Sequence, residues 1–191
     1  MPIALSRPTE ADLRDLFARI AGENPTYTGP SATAGDPRLP GYRYGDYAEP
    51  LGAGADVFER AKDALRHWQA HHFAGATVAP VGAPLVEGTD VVVTLPLGPA
   101  FMLAPCRIVA VVDEPHRFGF TYATLPGHPE RGEEAFHVER GPDDRVTFRV
   151  QVVARHAMLL VRLGGPVTNL MQKRVTRQYL RGVRRAVSPV P

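Results

Sequence analysis

Six segments between residues 76 and 155 alternate apolar and polar residues with period two, and one long helical stripe follows them. The segments are 76–81, 89–97, 102–113, 117–125, 133–140 and 145–155. The alternation is cleanest in Phe118, Phe120, Tyr122 and Thr124, and in Val146, Phe148, Val150 and Val152. Period two puts such residues on one face of a strand. The breaks hold turn chemistry: Val81-Gly-Ala-Pro84, Gly98-Pro99, Asp113-Glu-Pro-His116, Pro126-Gly-His-Pro129 and Gly141-Pro-Asp-Asp144. Parallel neighbours need a crossover of roughly a dozen residues, so connections this short demand an antiparallel meander. The 18 Gly and 19 Pro of this 191-residue chain then belong to turns and loops, which argues against a helical bundle.

Three helices flank the meander. Residues 9–21 read as the first, with Thr9 as N-cap, Asp12 at N3, an apolar face of Leu13, Leu16, Phe17 and Ile20, and Gly22 as the stop. Residues 23–41 are too dense in Pro and Gly for any periodic element and read as a loop. Tyr42, Tyr44 and the residues to Leu51 read as a short strand. Asp56 is expected to cap a second helix, with Glu59 completing a capping box. Its buried face would be Val57, Ala61, Leu65 and Trp68, and it would end near Phe73–Gly75. Gly165-Pro166 opens the last helix, with proline at its first position. Val167, Leu170, Met171, Val175, Tyr179, Val183 and Val187 form its stripe, and Lys173, Arg174, Arg177, Arg181, Arg184 and Arg185 lie off it.

This order defines an α+β chain: a curved antiparallel sheet of about 6–7 strands wrapped around a long C-terminal amphipathic helix. A single domain is expected over 1–191, with the helix 9–21, the loop 23–41 and a core over 42–187. The stripe must be buried, and the concave sheet face is the only large apolar surface available. This is the helix-grip order. It resembles the START and birch-pollen-allergen superfamily, in which sheet and helix enclose a cavity for an apolar ligand. A sharper resemblance lies in Tyr122-x-Thr124-Leu-Pro-Gly-His128-Pro-Glu130-x-Gly132-Glu-Glu134-x-Phe136. That run is similar to the signature of the domain of unknown function nineteen-ninety, also called uncharacterised protein family zero-five-four-eight. Leu51-Gly-x-Gly54 with Phe58, Ala64-Leu65-x-x-Trp68 and Tyr179-Leu180 fit the same family, while Ala123 stands where its pattern has glycine. The resemblance implies the fold and leaves the chemistry open.

Composition narrows the function classes. No run of about 18 apolar residues occurs, so a transmembrane segment is not expected. The first residues lack a basic region followed by an apolar one, so a secretory signal is not expected either, and a soluble, cytoplasmic protein is. Cys106 is the only cysteine, which excludes an internal disulfide and any zinc site needing two thiolates. All 20 acidic residues lie in 1–144, whereas 145–191 carries 10 basic residues and no acid. A basic element packed on its own acidic domain fits this, as does a polyanion-binding surface. No aromatic residues interleave with the arginines, so nucleic acid is not favoured. Oligomeric state stays open.

The residues expected to line a cavity are Phe120, Tyr122, Thr124, Glu134 and Phe136, from parity and the Pro-Gly turn between them. The partner would be a small, largely apolar molecule, with no cofactor and no metal. An enzyme on the same scaffold, cyclase-like or hydratase-like, is the alternative. Glu134 or His128 would then be its acid or base and Tyr122 an orienting donor. The same hairpin also reads as purely structural, with Glu130 or Glu134 bonding turn backbone. His67 and His71 are spaced i, i+4 and could hold two corners of a metal site, but no third ligand is evident. His72 is expected on the Trp68 side, with His67 and His71 nearer solvent. Cys106 shares parity with Met102, Ala104, Ile108, Ala110 and Val112 and reads as a buried hydrophobe. Tyr42, Tyr44 and Tyr47 suit a pocket rim or an edge strand equally. No phosphate loop, GxGxxG, GxSxG or HExxH is present, and Gly52-Ala-Gly54 reads as a helix entry turn.

Overall fold

The computed structural model describes residues 3–35, 39–157 and 165–188, with side chains for all of these except 165–173. Among the described residues eight antiparallel strands form one sheet. They are β1 (Ile3–Ala4), β2 (Arg43–Ala53), β3 (Thr77–Ala79), β4 (Asp90–Leu97), β5 (Ala100–Glu114), β6 (Arg117–Thr124), β7 (Glu130–Arg140) and β8 (Arg145–His156). Their order across the sheet is β2-β8-β7-β6-β5-β4-β3, and β1 pairs with β5. The meander from β3 to β8 is therefore continuous, and β2 closes the far side by pairing with β8. The two residues of β1 are too few for any period to show in the sequence.

Among the described residues four α-helices accompany the sheet: α1 (Glu10–Ile20), α2 (Ala55–Arg66), α3 (Gln69–Phe73) and α4 (Gly165–Val187). At α1 the capping box is present. Thr9 accepts from the Asp12 N–H, and the Asp12 carboxylate accepts from the Thr9 N–H. At α2 the expected Asp56 cap is replaced by Gly54, and no side chain caps the helix. Gly54 holds φ +98, a conformation that favours glycine, and its N–H donates to the Asp144 carbonyl at 3.0 Å. The backbone thus sets the helix start, and Asp56 falls inside the first turn.

The expected second helix is two helices. Trp68 adopts the left-handed conformation, φ 55 and ψ 27, and separates α2 from α3. Its indole N–H donates to the Ala83 carbonyl at 2.9 Å, which fixes the ring in the core. The helical phase is lost there, so a face extrapolated from α2 cannot continue into α3. A second phase error lies in β5. A bulge between Ile108 and Ala110 shifts the register, so Val111 instead of Ala110 and Val112 joins the core after Ile108.

α4 packs with α2 and α3 across the concave face. Tyr179, Val183 and Val187 of its stripe are buried and Val175 is partly so, joined by Leu180 and Thr176. Val167, Leu170, Met171 and Lys173 lie outside the described side chains. The loop after α1 covers the convex face instead. Tyr27 and Ala32 bury against Ala135 and Val153, with Leu39 and Tyr42 beside them. The Thr26 N–H donates to the Thr124 carbonyl, and the Ala32 N–H donates to the Glu133 carboxylate.

Candidate functional site

Three rungs of the concave face define the interior. Phe118, Val138 and Phe148 align across β6, β7 and β8; so do Phe120, Phe136 and Val150; so do Tyr122, Glu134 and Val152. The first two rungs are sealed, with Val138, Phe148, Phe136 and Val150 all at 0% exposure. The third is not: Tyr122 is 6% and Val152 7% exposed, and Glu134 is only half-buried. Two rungs are sealed, and in the third Glu134 keeps partial exposure.

The polar groups gather at that third rung. The Tyr122 hydroxyl donates to Glu134 Oε2 at 2.6 Å. His71 Nε2 lies 3.4 Å from the same hydroxyl. With the tyrosine proton committed to the carboxylate, the imidazole serves as donor to the tyrosine oxygen. Tyr179 of α4 sets its ring 4.8 Å from His71 and 5.4 Å from Phe136. Trp68 meets His71 at 4.9 Å and Phe120 at 5.0 Å, and Phe120 stacks on Phe136 at 5.1 Å. One carboxyl, two phenols and one imidazole are therefore set in an aromatic wall.

Burial governs their protonation. Glu134 is pushed up to about 7 by desolvation, opposed by the Tyr122 hydrogen bond and helped by the charge of Glu130. His71 is pushed down to about 3, mainly by desolvation and secondarily by His72. Tyr122 and Tyr179 are raised well above the ordinary phenol range by burial first and Glu134 second. The Cys106 thiol is raised for the same two reasons, and no activating base bonds it.

These shifts have a measurable consequence. A carboxyl raised in the folded state binds its proton more tightly there than in the unfolded chain. Its stabilising effect is complete below the unfolded value of about 4.5 and lost as pH rises through about 7. Glu134→Gln has no proton to lose. Its stability relative to wild type is therefore expected to increase between pH 4.5 and 7, read from paired urea titrations. A difference that stays flat over that range would contradict the burial of this carboxyl.

A second ionic group sits beyond the third rung. Arg43 Nη2 lies 2.5 Å from Glu130 Oε1, and His156 Nδ1 lies 3.3 Å from the same oxygen. Glu130 is thereby paired with the Arg43 guanidinium, while burial and Arg43 lower the pKa of the His156 ring. Among the described residues no cationic side chain pairs with Glu134.

Of the residues expected from the sequence, Phe120, Tyr122, Glu134 and Phe136 come together at this site. Thr124 is engaged with structure: its hydroxyl lies 2.6 Å from that of Thr26 and accepts from the Gly132 N–H at 3.1 Å. His128 is engaged with its own loop, where Nδ1 accepts from the Glu130 N–H at 2.9 Å. Burial holds that ring down at about 4. His71, Tyr179, Arg43 and His156 were not foreseen there. The expected placement of the helical histidines is reversed: His71 is 1% exposed beside Trp68, and His72 is exposed. The left-handed turn at Trp68 rotates α3 and causes the reversal. It also parts His71 from His67, which bonds the Asp63 carbonyl at the surface. Tyr47 packs against the core, Tyr42 against Tyr27, and Tyr44 near Asp46. On the basic helix, Arg184 pairs with Glu49 at 2.7 Å and Arg185 lies over the Phe73 ring, while Arg174, Arg177 and Arg181 are exposed.

Sheet and gripping helix give this chain a helix-grip fold. Solved structures agree on the fold. Hypothetical protein jhp0584 from Helicobacter pylori matches with a TM-score of 0.56 at 14% identity, over 78% of this chain and 92% of that one. Ara h 8.0201 matches at 0.51 and 14% identity, over 77% of this chain and 98% of that one. Ginseng major latex-like protein 151 from Panax ginseng matches at 0.50 and 14% identity, over 78% and 99%. The chain belongs to the family described as Domain of unknown function (DUF1990), whose model matches residues 26–182. It is 36% identical over 197 aligned residues to a UPF0548 protein of Deinococcus radiodurans, covering 95% of this chain and 97% of that one. It is 27% identical over 144 residues to UPF0548 protein At2g17695 of Arabidopsis thaliana, covering 72% and 70%. Among the described residues no helix is long and apolar enough to cross a membrane.

Proposed function

We propose that this protein binds a small, largely apolar molecule between the concave sheet face and α4, with the molecule's polar end at Tyr122 and Glu134. The observation that carries the reading is the contrast between rungs. Aromatic and aliphatic side chains seal two of them, and the third sets a half-buried glutamate beside a buried phenol. An apolar surface with a few convergent polar groups is the usual chemistry of a small-molecule site. Phe120 and Phe136 supply apolar wall, and Thr124 and Gly132 hold the hairpin that presents Glu134. Cytoplasmic residence is part of the same reading. An apolar dye such as anilinonaphthalene sulfonate is expected to bind the folded protein and to be displaced by neutral aromatic compounds. Native mass spectrometry should show one-to-one complexes. Failure of every apolar probe to bind the folded chain would overturn the reading.

One observation favours a second reading, acid–base catalysis on an apolar substrate. A general acid or base works best with a pKa near the operating pH, and Glu134 stands at about 7 within 2.6 Å of a phenol. In that reading Glu134 moves the proton and Tyr122 orients the reacting oxygen, while His128 stays in its loop. Glu134→Gln would then abolish turnover and leave substrate binding within about threefold, which is under 1 kcal/mol.

A further inference from the structure

Glu134 differs from the other interior acid. Glu130 is held by Arg43 and His156, at 2.5 and 3.3 Å. Glu134 has the Tyr122 hydroxyl on one oxygen and, among the described residues, no cation on either. His71, which contacts Tyr122, is no substitute, because burial keeps its ring neutral. Among the described residues, the titratable groups that interact with the carboxyl are acids: Tyr122, Tyr179, Cys106 and Glu130. A carboxylate half-buried beside a phenol, with no countercharge among the described residues, is incompletely compensated. Tyr122, 6% exposed, brings one aromatic ring beside the carboxylate, and aromatic π faces attract cations.

We propose that the molecule bound at Glu134 carries a basic nitrogen, an amine or a protonatable heterocycle, which pairs with the carboxylate beside the Tyr122 ring. The proposal rests on the site proposed above and adds the charge of its occupant. An anionic ligand would face the charge of Glu134. A neutral alcohol could accept or donate one hydrogen bond but would leave the carboxyl uncharged. An ammonium group forms a charge-assisted bond and draws the carboxyl into its ionised state. The step is balanced: the neutral carboxyl loses its proton to solvent, the ligand keeps its own, and carboxylate and ammonium pair.

The test compares three probes of nearly one shape, naphthylmethylamine, naphthalenemethanol and naphthoic acid, by isothermal titration calorimetry at pH 6.5. The amine is expected to bind at least about tenfold more tightly than the alcohol, with the acid weakest. Titration in two buffers of different ionisation enthalpy should show a proton released with the amine and none with the alcohol. Glu134→Gln should erase the amine's advantage, bringing amine and alcohol affinities within about threefold of each other. Equal affinities for amine and alcohol, or an amine preference that survives in the variant, would overturn the proposal and leave the apolar site standing. Binding of none of the three would overturn both. The wild-type ranking and proton release decide the matter even where the variant fails to fold.

Discussion

Phe136→Ala is expected to destabilise the protein by about 3–5 kcal/mol, the usual cost of deleting a fully buried phenylalanine. The ring has 0% exposure. It lies 4.9 Å from His71, 5.1 Å from Phe120, 5.4 Å from Tyr179 and 5.5 Å from Tyr122. Those neighbours come from α3, β6 and α4, so no single element can move to close the void. Urea unfolding should show a lower midpoint with an unchanged slope. Phe136→Leu keeps most of the volume and should cost much less. A loss below about 1 kcal/mol for alanine would mean that the interior around this ring is loose. Every statement about a defined site beside it would then fail.

Gly132→Ala is the second large effect, about 2–3 kcal/mol, by forced overpacking. A Cβ at this position would lie 1.9 Å from the Val153 carbonyl oxygen and 2.7 Å from the Ala154 Cα. Both are backbone atoms of the paired strand, so no side-chain rotation relieves the contact. The Gly132 N–H also donates to the Thr124 hydroxyl, so displacement breaks the tie across the hairpin. The exposed neighbour Arg131 is the control: its alanine variant should stay within about 0.5 kcal/mol of wild type. The glycine of the family's run is thus a close-approach residue that lets β7 sit where Glu134 faces inward. A Gly132→Ala variant with unaltered stability would refute that role.

The strands were legible because their signal is local. Two-residue alternation in β6 and β8 needs no partner to be read, and neither does the Thr9–Asp12 capping box. Parity also brought Phe120, Tyr122, Glu134 and Phe136 together, because they belong to two adjacent strands joined by one short turn. The features that escaped each break a period for a reason far away in sequence. Trp68 turns left-handed where its indole reaches Ala83, and that turn delivers His71 to the site. The β5 bulge hands the core face from Ile108 to Val111. Arg43 and His156 meet Glu130 only because β2 returns to pair with β8, a closure no local pattern announces. Tyr179 was legible as a buried helix residue; its contact with His71 was not, since that depends on the same lost phase.

Trp68 has one more consequence. It is the only tryptophan in the chain, so intrinsic emission excited at the indole band comes from a single known place. That place is 2% exposed, edge-on to His71 and to Phe120. The chain carries its own optical reporter within van der Waals reach of the imidazole that touches Tyr122. Occupancy of the interior, or acid titration of His71, can be followed as a change in wavelength or quantum yield with no label attached.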